Sequence, residues 1–104
     1  MFRTVALFPK TTGSHFDMDY FLNKHVPLVE ALLTEAGLVH IDVEAGIESK
    51  PPGTTVTYEV LASLTFRTFE ALERAMVTYG AELSKDFPNF TDVQPQIQVN
   101  RIMR

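Results

Sequence analysis

His25 is the residue of this sequence best placed to do chemistry, because it stands in a row of otherwise apolar residues. The segment 16–37, FDMDYFLNKHVPLVEALLTEAG, repeats apolar residues at three- and four-residue steps, and His25 falls in that row. A ring held between helix and sheet loses solvation, which favours neutral imidazole. Neutral imidazole accepts a proton at one nitrogen and donates at the other, so His25 is a candidate catalytic general base. The alternative is a core histidine bonded to a backbone carbonyl.

Pro27 follows two residues after His25 and lies within the same helical pattern. Proline lacks an N–H, so it deprives the carbonyl of Asn23 of its helical partner. We expect a bend at this point, and a bend can open space beside a buried side chain.

The segment FPNFTD, residues 87–92, is the second candidate. Two aromatic residues flank a Pro–Asn turn, and Asp92 follows. Asp92 could orient a histidine or set its tautomer. The alternative is a turn in which Asn89 and Asp92 make local backbone hydrogen bonds while Phe90 fills the edge of the core.

Aromatic residues form the third candidate group. They could line a small-molecule pocket that has a polar spot, with the hydroxyl of Tyr58 or Tyr79 holding a substrate oxygen. The alternative is that they are core residues. The group consists of Tyr20, Phe21, Tyr58, Phe66, Tyr79, Phe87 and Phe90.

The remaining titratable clusters give weaker signals. His15 lies in a Gly/Ser loop, and the row His40, Asp42 and Glu44 is better explained as a solvated strand face than as a metal site. The sequence has no phosphate-binding loop, no dinucleotide fingerprint and no nucleophile elbow. We therefore predict no metal and no cofactor.

Length and composition limit the class of protein. The chain has 104 residues, of which 45% are hydrophobic and 21% charged, as expected for one globular domain spanning 1–104. A net charge of −4 without a basic run disfavours nucleic-acid binding. There is no cysteine, which excludes disulfides and thiol catalysis. No apolar run is long enough to span a membrane, and without a signal peptide we expect a cytoplasmic location.

The elements that position these residues follow from periodicity and turn signals. Residues 2–8 predict a strand ended by Pro9, and Asp17 and Gly37 are suited to begin and end the first helix. Residues 38–47 alternate between apolar and polar side chains, with Val39 and Ile47 in the apolar set, which predicts the second strand. Residues 56–66 predict the third strand.

A second helix and a last strand complete the pattern. Thr68 is suited to cap a helix whose apolar stripe is interrupted by Gly80. Residues 93–102 predict the last strand, and Pro95 places it at a sheet edge. The order βαββαβ predicts an α+β, ferredoxin-like fold, an antiparallel four-stranded sheet with two helices on one face. The other face suits either solvent or a polar dimer interface.

Two segments resemble a known family. "FPK…G.HFDMDYFLNKHVPLVEALL" and "DFPNFTDVQPQIQV" are similar to the EthD family, the ethyl tert-butyl ether degradation proteins, and the likeness covers nearly the whole chain. The resemblance implies a dimeric α/β barrel, in which the uncovered sheet face meets that of a second copy. It aligns His25 with the family's helix histidine, and Asn89 and Asp92 with its C-terminal turn.

The resemblance also implies a range of functions. The first is a small, cofactor-independent enzyme of hydrophobic or aromatic metabolite degradation or modification, an isomerase, dehydratase, cyclase or monooxygenase-like protein using His25. Its substrate would be a small hydrophobic molecule that contacts Phe21, Tyr58, Tyr79, Asn89, Phe90 and Asp92. The alternative is a non-catalytic accessory or ligand-binding homodimer that supports an ether-degrading oxidase system. The absence of cysteine excludes isomerases that use one, and the absence of tryptophan argues against haem degradation.

Overall fold

The elements of the computed structural model, which describes residues 1–104, follow the order that the sequence predicts. The strands are β1 (Phe2–Pro9), β2 (Leu38–Ala45), β3 (Tyr58–Phe66) and β4 (Gln96–Arg101). The first helical region consists of α1 (Met18–Tyr20), a π-helical segment (Phe21–His25) and α2 (Val26–Leu33). The second consists of α3 (Phe69–Lys85) and a 3-10 helix (Phe87–Asn89).

The four strands form one sheet in the order β2-β3-β1-β4, and every neighbouring pair is antiparallel. This is the ferredoxin-like α+β arrangement, so the predicted fold class is confirmed. β4 lies at the edge of the sheet, as predicted, but it begins at Gln96 and not at residue 93, so Pro95 precedes the ladder instead of lying in it.

The helices cover one face of the sheet, and alternate residues of the two central strands separate the faces. The helix-side residues Phe2, Phe8 and Phe66 pack into two apolar clusters with the helices. We call the opposite surface the open sheet face. In its centre lie Arg3, Val5, Leu7, Leu61, Ser63 and Thr65.

β2 differs from its predicted form in length and register. The strand ends at Ala45, and Ile47 lies beyond it, almost fully exposed. The pairing with β3 shifts between Leu38 and His40, so Val39 occupies a bulge and is exposed instead of facing the core. An extra residue in one strand reverses the faces that the side chains before and after it occupy. A sequence pattern that assumes strict alternation cannot show such a bulge.

The predicted helix boundaries have physical causes that the structure makes explicit. The carboxylate of Asp17 accepts from the N–H of Tyr20, and the hydroxyl of Thr68 accepts from the N–H of Ala71. Both are N-cap interactions, which satisfy donors that have no partner inside the helix. Gly37 has a φ of 111°, a conformation that residues with a side chain rarely adopt, and the chain leaves the helical region there.

The bend expected at Pro27 takes the form of a widened turn. The N–H of Val26 donates to the carbonyl of Phe21, five residues back, and the π-helical segment ends at His25. Pro27 is the second residue of α2, and in this first turn its lack of an N–H is tolerated. Single π turns inside helices are frequent at functional sites, and this one carries both Phe21 and His25.

Candidate active site

His25 lies at the end of the π-helical segment and is 5% exposed, with its ring among aromatic side chains. It stacks on Phe21, with centroids 5.3 Å apart and planes at 25°. The ring of Phe90 lies 4.8 Å away, and Phe87 meets the imidazole edge-on at 5.7 Å. These contacts fix the orientation of the imidazole, because a packed aromatic wall leaves one rotamer available.

Asp86 holds the other end of the imidazole. Nδ1 of His25 lies 2.9 Å from Oδ2 of Asp86, whose side chain is 14% exposed. The second carboxylate oxygen accepts from the hydroxyl of Tyr20 at 2.7 Å and from the amide of Asn89 at 2.9 Å. Burial by itself raises the pKa of Asp86, but the hydrogen bonds from Asn89, His25 and Tyr20 outweigh it and hold the pKa below its usual 3.8.

The same hydrogen bond acts on Tyr20 in the opposite direction. Donation to Asp86 raises the pKa of the Tyr20 phenol above its usual 10.0, and desolvation and the charge of the carboxylate add to this. Tyr20 therefore stays protonated and serves as a donor to Asp86. The network consists of an ionised carboxylate that accepts from a phenol, an amide and an imidazole.

This arrangement sets the tautomer of His25. An ionised carboxylate only accepts hydrogen bonds, so in the neutral form of the ring we assign the proton to Nδ1 and the free lone pair to Nε2. Nε2 has no partner in the protein, and no side-chain nitrogen or oxygen is both buried and unpaired. It follows that Nε2 reaches an accessible surface, which is that of the adjoining cavity lined by His25.

The cavity lies between the helical layer and the sheet and has a volume of about 340 Å³. Apolar side chains make up 12 of its 18 lining residues, and His25 is the only titratable one among them. Its floor is the helix side of the sheet, and its roof comes from the π-helical segment, α2 and α3. It opens toward β4, where Ile97 of the wall is 59% exposed.

The cavity exists because small residues stand where large ones would fill the core. Ala6 and Ala62 are directly opposite each other on β1 and β3, in the centre of the floor. Gly80 of α3 lies in the roof, and a Cβ added there would meet no atom within 4 Å. Gly80 interrupts the apolar stripe of α3, and the side chain that it lacks leaves part of the space that forms the cavity.

Backbone and side-chain hydrogen bonds join the beginning of the first helical region to the turn after α3. The N–H of Asp17 donates to the carbonyl of Phe90 at 2.7 Å, and Phe16 and Thr91 form an isolated bridge. The hydroxyl of Thr91 donates to the carbonyl of His15 at 2.8 Å. These bonds bring the two segments that carry His25 and Asp86 together, although the two residues are 61 positions apart.

A model of the EthD domain family matches residues 10–94, which include both of these segments. The chain belongs to the EthD family. An EthD-like protein from Ralstonia eutropha JMP134 is 26% identical, with a TM-score of 0.91, over 99% of this chain and 92% of that one. An EthD family protein from Bacillus halodurans C-125 is 21% identical, with a TM-score of 0.76, over 99% of both chains.

A more distant neighbour has the same fold. A dimeric ferredoxin-like protein from an uncultured marine organism is 9% identical, with a TM-score of 0.56, over 100% of this chain and 96% of that one. No curated protein sequence matches the chain. No helix of this EthD domain is both long and apolar enough to cross a membrane. No group of three or more histidine or acidic side chains is arranged to hold a metal ion.

The EthD structure places two of the predicted substrate contacts around His25. Phe21 lines the cavity and stacks on the imidazole. Phe90 is fully buried and supports the ring from behind the cavity wall. Asn89 is not a lining residue, and its amide instead acts on His25 through Asp86.

The predicted roles of the two tyrosines and Asp92 do not agree with the geometry. Neither Tyr58 nor Tyr79 lines the cavity. A register shift between Phe8 and Pro9 leaves Tyr58 opposite Pro9, where its hydroxyl donates to Gln96, and Tyr79 packs against the apolar cluster. Asp92 does not orient His25, because its carboxylate accepts from the N–H of His15 at 2.9 Å.

Sequence reasoning missed Asp86, which performs the role expected of Asp92. A signal was present, since Asp86 is the C-cap residue of α3. The C-terminal end of a helix carries partial negative charge, so a carboxylate there is unfavourable unless donors compensate for it. Tyr20, Asn89 and His25 are those donors.

Proposed function

We propose that the protein is a cofactor-independent enzyme in which His25 moves a proton of a small, largely apolar molecule that carries oxygen. One observation supports this above the others. His25, whose Nε2 has no partner in the protein, lines an apolar cavity of about 340 Å³, while Asp86 holds Nδ1. A base that is fixed in one tautomer and shielded from bulk water is what proton abstraction requires.

Three features of the cavity favour the binding of a small hydrophobic ligand. It is concave, mostly apolar, and contains a few polar groups, which is the usual composition of small-molecule sites. Its volume is at the lower end of the range for such sites, so a compact ring compound fits better than an extended chain. His25 is the only residue of the lining that could neutralise a charged ligand, so an uncharged ligand fits best.

Filling the cavity tests where the ligand binds. We expect Gly80→Leu to weaken binding of ring ketones and phenols by at least about tenfold, because its four added carbon atoms take up space that the ligand would fill, and a mismatch of one methylene group is already worth roughly 1–3 kcal/mol in a hydrophobic pocket. The measurement is a titration followed by calorimetry or ligand NMR.

The matched control for this variant is Gly80→Ala. Its methyl group meets open space, so ligand binding should persist. Its free energy of unfolding should rise by about 1 kcal/mol, because glycine disfavours a helix interior by that amount relative to alanine. Equal ligand affinity in wild type and Gly80→Leu would place the ligand elsewhere and overturn this assignment. A ligand that binds in the cavity and is released unchanged would favour an accessory, ligand-carrying protein.

We infer also that two copies pair through the open sheet face. The apolar side chains of Val5, Leu7 and Leu61 lie at the centre of a face that no helix covers. The dimeric neighbour of the same fold supports a paired arrangement of such domains.

A charge placed on the open sheet face tests this pairing. Wild type should sediment as a dimer at micromolar concentration, and Leu7→Glu should sediment as a monomer, since an unpaired charge is costly to bury. Val77→Glu, on an exposed part of α3, should leave the dimer intact. A monomeric wild type would refute the pairing.

A further inference from the structure

Thr4 is a buried polar residue that the proposed chemistry of His25 does not yet use. It lies on central strand β1, is 6% exposed, and lines the floor of the cavity. Its hydroxyl makes no hydrogen bond within the protein, yet no side-chain oxygen is both buried and unpaired. The hydroxyl therefore reaches the cavity surface, where it is free to bind a ligand atom.

Thr4 and His25 belong to opposite walls of the same cavity, one on the sheet and the other on the helical layer. One wall supplies a hydrogen-bond donor, and the other supplies a proton acceptor at Nε2. Between them lie the two small residues of the floor, Ala6 and Ala62. A flat ring placed there would present an oxygen to Thr4 and a neighbouring C–H group to His25.

The lining also limits the charge of the ligand. It includes no lysine, arginine, aspartate or glutamate, so nothing apart from His25 would offer an opposite charge to a carboxylate or an ammonium group there. Moving an ion into such a site without a partner is strongly unfavourable. The chemistry of the cavity fits an uncharged molecule that has one hydrogen-bonding oxygen.

We propose that the substrate is a neutral cyclic ketone or enone with an acidic hydrogen next to its carbonyl, and that Thr4 binds the carbonyl oxygen during enolisation. This inference rests on the proposed role of His25. The C–H proton passes to Nε2 of His25, and the C–H electron pair becomes the C=C bond of an enolate. The carbonyl π pair moves to oxygen, where the hydroxyl of Thr4 donates a hydrogen bond.

The reaction then closes without a co-reactant. Protonated His25 returns the proton to a carbon of the enolate, and the carbonyl re-forms. Return to the same carbon exchanges its hydrogen with solvent, and return to a conjugated carbon shifts the double bond and gives an isomer. All atoms and electrons are accounted for, so the outcome is a proton-transfer isomerisation. Thr4 is a substrate-binding residue in this scheme and His25 is the base.

Deuterium exchange of 2-tetralone tests the scheme. Its C1 hydrogens exchange through the enolate, so proton NMR in D2O follows the step directly, after subtraction of the rate in buffer. Wild type should accelerate exchange, and His25→Gln should abolish the acceleration. Thr4→Val keeps the volume and removes the hydroxyl, and it should lower the accelerated rate by about 10²–10³-fold. Thr4→Ser keeps the hydroxyl and should restore most of it.

The outcomes separate the two proposals. If His25→Gln is inactive while a folded Thr4→Val exchanges as fast as wild type, the role of Thr4 is refuted and that of His25 stands. If wild type gives no acceleration although 2-tetralone binds, both proposals fail. Anionic 2-naphthoate should bind at least tenfold more weakly than 2-tetralone, and equal affinity would refute the preference for neutral ligands. A thermal melt confirms that each variant is folded.

Discussion

Replacement of His25 by glutamine should lower turnover of an enolisable substrate by about 10²–10⁴-fold, the usual contribution of a positioned general base. Glutamine is chosen because its amide can still donate to Asp86, which keeps the buried carboxylate paired. It has no lone pair basic enough to accept a carbon-bound proton. The loss should appear in kcat, with a smaller change in KM, since cavity residues other than His25 determine most of the binding.

His15 provides the matched histidine control. It is exposed in the loop before α1, and its hydrogen bonds come from its backbone N–H and carbonyl, not from its ring. His15→Gln should therefore turn over substrate at the wild-type rate. Turnover by a folded His25→Gln protein at the rate of the His15→Gln protein would remove His25 from the mechanism.

Asp86→Asn should lower turnover by a similar factor, for a different reason. An amide at this position can present its N–H to Nδ1 of His25, which would favour the tautomer that has its proton on Nε2. A ring with that proton facing the cavity cannot accept another from the substrate. Asp86 is thus a positioning residue, and the imidazole nitrogen chemical shifts, measured by NMR, should report the change of tautomer directly.

The carboxylate of Asp86 also stabilises the fold. Asp86→Ala should lower the free energy of unfolding by about 1–3 kcal/mol at neutral pH, because the hydrogen bonds that His25, Tyr20 and Asn89 make to a half-buried carboxylate are lost. Its pKa in the folded state lies below 3.8, so this contribution is complete above that pH. The part that depends on the charge should be lost as the pH falls through the folded pKa, so the difference in stability between wild type and variant should narrow there.

Asp19 is the matched carboxylate control. It is exposed in α1 and forms no salt bridge, so Asp19→Asn should change neither turnover nor the acid sensitivity of wild type. If Asp86→Asn left both turnover and the imidazole chemical shifts unchanged, the proposed positioning role would be wrong. A constant stability difference between wild type and Asp86→Ala at all pH values would contradict the linkage to ionisation.

The fold was predictable from the sequence because its signals are local. Alternation in the strands, the N-caps at Asp17 and Thr68, and the glycine at position 37 each act within a few residues of chain. The bulge at Val39 was not predictable, since it depends on how an edge strand pairs with its neighbour. The edge position of β4 was predicted correctly, but Pro95 ends up before the strand, where its missing N–H limits where the ladder can begin.

The candidate site was only partly predictable. His25 stood out because it interrupts an apolar row. Phe21 and Phe90 were predicted to contact the ligand because they are aromatic and belong to the same two segments, 16–37 and 87–92. The sequence analysis named Asp92 as the partner of His25 and missed Asp86, since the path of the 3-10 turn decides which carboxylate faces the imidazole. The cavity was also hidden, because it depends on alanines of two strands and a glycine of a helix meeting in space.

The π-helical segment has a consequence for how this site can arise and disappear. A π turn is a helical turn with one residue more than the α-helix uses. Deletion of one codon between those for Phe21 and His25 would restore a uniform pitch and rotate the preceding helix relative to α2 by about 100°. Tyr20 belongs to that preceding helix, so its hydroxyl would turn away from Asp86 and their hydrogen bond would be lost. The hydrogen-bond network that holds His25 therefore depends on the extra residue of the π turn, and a single in-frame deletion would break it without replacing any of the bonded residues.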